Sequence, residues 1–462
     1  MRKYNKEDLI LDGARMNIGS YFKRILLKTE GLQRFSWLLF NSIFASAADF
    51  LISVFFARRF TTEIVGQYGY ASAVVSIFLP ISLMGIEQIV VKDLGQRKED
   101  AGEVMGSAHI LILIGSILSF ITILFIALMP HSTLGRRIFL VVLAIPVLLR
   151  PLEVDRFWIL GQGDVSRYAI VQTLIKVIFF ALKCGIIAIG HEYLFAVCTV
   201  FEAVMTVIGY FFLSDKEKSQ KKEKQINICK IKWLLKKGGP LLLSSCFVVI
   251  YMRIDQVMVG NLLGDSQLGI YSVAVKISEA WYVIPGVLMN AYLPLIANAY
   301  CSDNQLFSFL FQRLSDYLGL VGYGALAIIM ILGEPIILML YGPMYAYAET
   351  IIKCYVWAGI AVSINYSLAV AFAIKEWSWL SMLITVIGAL TNIVLNMVLI
   401  PRMGSVGAAA ATVVSYWTSA VVLPLILCIK VRDMRTYVKI MLKGLFPFVR
   451  IGKLICNIYE QE

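Results

Sequence analysis

Lys176 and Lys183 stand seven residues apart in VQTLIKVIFFALKCGIIAI, an otherwise apolar run. A helix there puts both ammonium groups on one face, separated by about 10 Å along the axis. No Asp or Glu lies three or four positions from either lysine, so neighbours in the same helix cannot neutralise them. Such cations need water, an anionic ligand or acids from elsewhere in the fold. A cationic face lining a wet cavity is the favoured expectation; the alternatives are snorkelling to the interfaces or pairing with acids on other helices, of which Glu202, the lone acid within LFAVCTVFEAVMTVIGYFFL, is the obvious one.

Other ionisable residues fall in similar runs: Asp49 in FNSIFASAADFLISVFFARRF, Arg253 and Asp255 in SSCFVVIYMRIDQVMVGNLLG, and Lys276 and Glu279 just beyond. Each costs about 2.5 to 3.5 kcal/mol at the centre of a bilayer, so each should face water, a partner or a ligand. Arg253 and Asp255, two residues apart, point to different sides of a helix, whereas Lys276 and Glu279 are spaced to pair with one another. Lys176, Lys183, Arg253 and Lys276, with Arg58 and Arg59 at an outer mouth, are the candidates for holding an anion. Asp49, Asp255, Glu202 and Glu279 are the candidates for coupling to a proton or sodium gradient, with a structural hydrogen-bonding role the alternative for Asp49 and Asp255.

The elements that must position these residues are membrane spans. Of 462 residues 59% are hydrophobic and 16% charged, and the mean hydropathy is +0.78. That balance leaves too little polar surface for a soluble fold. Apolar blocks of about 20 residues recur, the length of a spanning helix. Twelve spans are expected: 36–57, 69–91, 106–129, 138–158, 168–189, 192–213, 239–261, 272–297, 317–340, 351–373, 377–400 and 405–429. The fourth is the weakest, because Arg150, Pro151, Glu153, Asp155 and Arg156 crowd its end.

Of the 42 Lys and Arg residues, 32 fall on one side of these spans and five on the other, the rest lying inside them. Positive segments resist translocation, so both termini and the Lys-rich loop are expected in the cytoplasm. The polar, charged first 35 residues carry no cleavable signal pattern. The net charge of +12 fits this topology and attraction to anionic membrane lipids, with no nucleic-acid role required. Eight scattered cysteines without CxxC spacing, and three histidines outside any HExxH, suggest neither a disulfide framework nor a metal centre, and no cofactor is expected.

The Lys-rich loop divides the chain into an N-terminal segment (1–35), a six-helix half (36–213), a basic linker (214–238), a second six-helix half (239–429) and a basic tail (430–462). Gly66-x-Tyr68 matches Gly269-x-Tyr271, Ala71 matches Ala274, Leu83-Met84 matches Leu288-Met289, and Asp49 lies in a place like that of Asp255, at offsets near 203 to 206 residues. The expected architecture is therefore an all-α membrane protein with two parallel six-helix repeats, suited to rocking around a central cavity.

Three segments carry a family resemblance: RIDQVMVGNLLGDSQLGIYSVAVKISEAW (253–281), PIILMLYGPMYAYAETIIKCYVWAG (335–359) and IVLNMVLIPRMGSVGAAAATVVS (393–415). They resemble the polysaccharide biosynthesis transporters, the Wzx-type flippases of the multidrug/oligosaccharidyl-lipid/polysaccharide superfamily. The resemblance implies a MATE-like fold in a bacterial inner membrane. It also implies translocation of an undecaprenyl-pyrophosphate-linked oligosaccharide to the outer leaflet for O-antigen or capsule, beside polymerase and chain-length proteins of the pathway. Tyr68, Tyr251, Tyr271, Trp281 and Tyr282 are then candidates to stack on sugars, although aromatics more often pack. A MATE-type multidrug exporter is the alternative, but it would favour an acid-lined cavity. A polymerase would be expected to carry a sizeable outer loop, and an ATP-driven pump a Walker motif; neither feature is present.

Overall fold

The computed structural model describes residues 29–96, 100–130, 132–163, 165–215 and 225–446, all helix and connecting turns with no strand. The first half comprises α1 (Thr29–Arg59), α2 (Thr62–Ser82), α3 (Glu87–Gln96), α4 (Ala101–Ala127), α5 (Leu134–Leu148), α6 (Val154–Gly161), α7 (Val165–Ile189) and α8 (Glu192–Asp215). The second comprises α9 (Ile228–Leu263), α10 (Asp265–Glu279), α11 (Val283–Ser302), α12 (Asn304–Leu340), α13 (Ala348–Ile374), α14 (Ser378–Trp417) and α15 (Leu423–Lys430), followed by α16 (Met434–Gly444). Among the described residues nine helical stretches are long and apolar enough to cross a membrane. One of them, Ser378–Lys430, covers two expected spans, because Gly404 takes φ 62° and ψ −144° and folds the chain back. The expected first and fourth spans correspond to α1 and to α5 plus α6.

Three expected spans are interrupted, each for a local reason. The span at 69–91 breaks between α2 and α3, where Pro80 is followed by positive φ at Met84 and Gly85. The one at 138–158 breaks into a single 3₁₀ turn, Arg150–Glu153, begun by Pro151. A similar turn, Ala280–Tyr282, separates α10 from α11. Helix starts are held by side-chain caps: Thr61 accepts from the Ile64 amide, Asn227 from those of Cys229 and Lys230, and Asp303 from those of Gln305 and Leu306.

The halves meet where α2 crosses α10. At Gly66 an added Cβ would lie 1.8 Å from the Asp265 carbonyl oxygen, and at Gly269 one would lie 1.9 Å from that of Thr62. Each contact is the image of the other when the halves are exchanged, which ties the Gly-x-Tyr repeat to the geometry. Thr62 and Asp265, which open α2 and α10, fix the register at 203 residues. In that register Asp49 corresponds to Met252 and Asp255 to Ile52, so the two acids are one turn apart rather than equivalent. Leu83-Met84 likewise sits in a turn while Leu288-Met289 lies inside α11.

Residues 1–28, 216–224 and 447–462 lie outside the described residues, and with them most of the segment read as 1–35 and parts of the linker and tail. Helix α9 already begins at Ile228, inside the stretch read as linker, and α16 folds against the second half, with Tyr437 edge-on to Phe311 at 5.7 Å and Gln312 donating to the Ile440 carbonyl at 3.3 Å.

Candidate functional site

A cavity of about 570 Å³ lies between the halves, lined by α1, α2, the end of α5 and the 3₁₀ turn after it, α6, α7, α8, α9 and α10, with Tyr341 just beyond α12. Six cations line it, Arg150, Arg156, Lys176, Lys183, Arg253 and Lys276, against the carboxylates of Asp49, Glu153 and Glu202. Both lysines of α7 therefore face the cavity, but they are not unpaired. Lys176 Nζ lies 2.6 Å from Asp49 Oδ1 and 3.3 Å from Glu202 Oε1, and Lys183 Nζ pairs with Glu202 Oε2. Glu202 bridges them because α8 packs against α7 and presents one carboxylate between two cations on the facing helix. Lys183 also sits 5.7 Å from the Phe195 ring and is largely shielded, whereas the Asp49 side chain is 52% exposed.

The expected Lys276–Glu279 pair does not form. Glu279 turns away and accepts from Arg253 at 3.4 Å and from the Tyr355 hydroxyl at 3.2 Å. Arg150 pairs with Glu153, and Arg156 with Glu87 on α3. Lys276 is the exception: exposed within the cavity, it has no ion pair among the described residues.

Asp255 is not a cavity residue. It is 2% exposed and receives hydrogen bonds from the Tyr271 hydroxyl (2.6 Å), the Gln256 amide (2.7 Å) and Thr412 Oγ1 (3.4 Å). Asn392 donates to Thr412, and Asn396 to Asn392, extending a buried polar chain through the second half. Three donors on one carboxylate make a structural hub of it. Arg58 and Arg59 are absent from the cavity lining: Arg58 donates across to the Met339 carbonyl at 2.8 Å, and Arg59 lies against Gly190. Of the five candidate sugar-stacking aromatics only Tyr68 lines the cavity, wedged among Phe56, Phe139 and Phe195. Tyr271 is spent on Asp255, Tyr251 packs on Tyr416 with ring centres 4.6 Å apart, and Trp281 packs on Gly359 and Tyr282.

The sequence reading missed the lock that closes one end of this cavity. Arg136, which falls between the expected spans 106–129 and 138–158, is 6% exposed and paired with the similarly buried Asp265 across the halves. Its guanidinium also donates to the Gly260 carbonyl and to Asn261 Oδ1, and it stacks 4.4 Å from the Tyr70 ring centre. Thr133 donates to Asp265 at 3.3 Å, and Thr62 and Ser266 share a hydrogen bond of 2.7 Å. The signal available in the sequence was an Asp at the start of the repeat helix, directly after Gly264. The crowded charges after α5 were the other: Arg150, Glu153 and Arg156 line the cavity.

The sequence profile of the family described as polysaccharide biosynthesis protein matches residues 32–299, more than half the chain. The chain belongs to that family. A second profile, MatE, matches residues 240–398 of the family member described here. AglR of Haloferax volcanii, named a probable flippase, is 31% identical over 180 residues, which is 36% of this chain and 35% of AglR. CapF of Staphylococcus aureus, named a capsular polysaccharide biosynthesis protein, is 22% identical over 323 residues, covering 68% of this chain and 78% of CapF. Among solved structures, an inward-facing multidrug resistance MATE transporter superposes with a TM-score of 0.71 at 14% identity, over 87% of this chain and 98% of that one. The lipid II flippase MurJ, in an inward closed conformation, gives 0.62 at 15% identity, over 90% and 91%. The fold is thus that of MATE-like membrane transporters.

Proposed function

We propose that the protein is a flippase that moves an undecaprenyl-pyrophosphate-linked oligosaccharide from the cytoplasmic to the outer leaflet of a bacterial inner membrane by alternating access, with both termini cytoplasmic. A pyrophosphate and its glycan cannot cross hydrocarbon unaided, while the prenyl tail cannot leave it. A wet, cationic cavity between two halves meets that need, and the names of the relatives point to the same substrate class.

The observation that carries the reading is Lys276. Five of the six cavity cations already have carboxylate partners, so they add little attraction for a cation or an anion. Lys276 has no direct carboxylate partner among the described residues, which favours a phosphate and disfavours the cationic drugs of a multidrug exporter. A bound pyrophosphate would also compete with Asp49 for Lys176. Asp49, released into the cavity, is then the carboxylate to take up a proton or sodium ion, giving the cycle a coupling step.

Lys276→Gln should lower export of the surface glycan at least tenfold at unchanged protein level, with the lipid-linked intermediate accumulating on the cytoplasmic leaflet, since about 1.4 kcal/mol of lost binding is a factor of ten. Undiminished export by that variant would overturn the assignment.

A further inference from the structure

A second pocket, of about 560 Å³, lies outside the bundle between α3 and the first turns of α9, sharing no lining residue with the central cavity. Helix α9 has 36 residues, about 54 Å of helix, against a hydrocarbon core of about 30 Å. Its first turns, which carry Lys230, Lys232, Lys236 and Lys237, therefore extend into the headgroup layer. They are not splayed into solvent. Leu234 is fully buried against Ile86, Val90 and Leu94, and Gly238 packs on Met84 and Ile86, so α3 and α9 form a fixed wall on each side of the pocket.

Three lysines converge there, Lys92 from α3 and Lys230 and Lys237 from α9, against the single carboxylate of Asp93. Lys230 Nζ lies 2.8 Å from Asp93 Oδ2 and 4.8 Å from the Trp233 ring centre, which holds its position. Lys92 and Lys237 have no ion pair among the described residues and are exposed at the rim. Asn227 and Gln96 add amide groups able to donate to oxygen. Trp233 on the pocket wall is exposed, and so are Ile226, Ile228 and Leu235 in the same stretch of chain. A cationic concavity at headgroup depth, bordered by exposed aliphatic and indole side chains, has the two-part chemistry of a lipid: a phosphate for the lysines and acyl chains for the apolar border.

We propose that this pocket binds the phosphate headgroup of an anionic phospholipid, anchoring the start of α9 to the membrane surface. The site is independent of the transport cavity, and it gives the basic stretch before the second half a defined ligand rather than a diffuse attraction.

Native mass spectrometry of the detergent-purified full chain, titrated with phosphatidylglycerol or phosphatidylcholine, tests this. Wild type should retain phosphatidylglycerol, and Lys92→Gln/Lys237→Gln, which keeps the Lys230–Asp93 pair, should bind it about thirtyfold more weakly. Phosphatidylcholine binding should not change between the two proteins. Should the double variant fail to fold, Lys237→Gln alone should weaken phosphatidylglycerol binding about fivefold, and equal retention by that variant overturns the proposal. Equal loss of both lipids overturns it as well. Full displacement of phosphatidylglycerol by millimolar inorganic phosphate would identify a simple anion site, which also overturns the lipid assignment.

Discussion

Asp265→Asn removes the charge that Arg136 is buried against while keeping the side chain's size. Both side chains are nearly inaccessible, 7% and 6% exposed, so the guanidinium left behind cannot be hydrated in place. Breaking a buried pair from one side costs about 3 to 5 kcal/mol. The remaining bonds from Arg136 to Gly260 and Asn261 put the expected cost at the lower end, about 3 kcal/mol. This cost applies only while the α2–α10 end is closed, because separation of the halves exposes Arg136 to water. The variant should therefore shift the equilibrium toward opening at that end by about a hundredfold, at 1.36 kcal/mol per factor of ten. Ser72, which faces the cavity, changed to Cys in a background lacking the eight native cysteines, reports on this. A membrane-impermeant maleimide applied from the closed end should label it slowly in the parent and far faster with Asp265→Asn. Exchanging the two residues, Arg136→Asp with Asp265→Arg, should return labelling toward the parent rate. If Asp265→Asn folds normally and labels no faster than the parent, the pair does not hold the cavity shut and the reasoning fails.

Three further outcomes follow from the same geometry. Gly269→Ala, placing a methyl group 1.9 Å from the Thr62 carbonyl, should prevent the halves from closing and so abolish glycan export, while cysteine labelling from that end becomes constitutive; normal export would show that the backbones part easily. Glu202→Gln strips both α7 lysines of their shared acid and should cost about 3 kcal/mol of stability, since Lys183 is largely buried. Thermal melting measures this, and Lys183→Met/Glu202→Met should recover it. Asp49→Asn should leave vesicle transport indifferent to an imposed proton or sodium gradient; a wild-type response would remove Asp49 from the coupling step.

The fold was legible because its signal is repetitive. Apolar blocks of spanning length and a one-sided Lys/Arg distribution need no knowledge of contacts, and the Gly-x-Tyr repeat marked the helix pair at which the halves meet. Helix breaks were harder: the charges around Pro151 marked the fourth span as weak, but nothing in the apolar run before the Met84-Gly85 turn announced a break there. The charged residues of the cavity were visible individually, but their partners were not. Lys176 finds Asp49 on α1 and Glu202 on α8, helices that approach α7 only through tertiary packing. The local pairing rule failed at Lys276 and Glu279 because Tyr355 and Arg253, both from other helices, hold the carboxylate away. Arg136 was the deepest miss: its position between two spans suggests solvent, and only the close glycine crossing draws it inside.

A bilayer that stores a gradient tolerates no leak, and the crossing of Gly66 with Gly269 bears on how this one is kept tight. At Gly66 and Gly269 main chain rests on main chain, so at these two points no rotamer flip can open a gap for water. Dispersion attraction loses a quarter to a half of its depth with a gap of about 0.5 to 1 Å, so such a seal has no half-parted state to linger in. Stray protons or sodium ions would then find a path only in the brief interval when the two helices separate outright, and backflow would be set by how often that happens rather than by how loosely the closed halves fit.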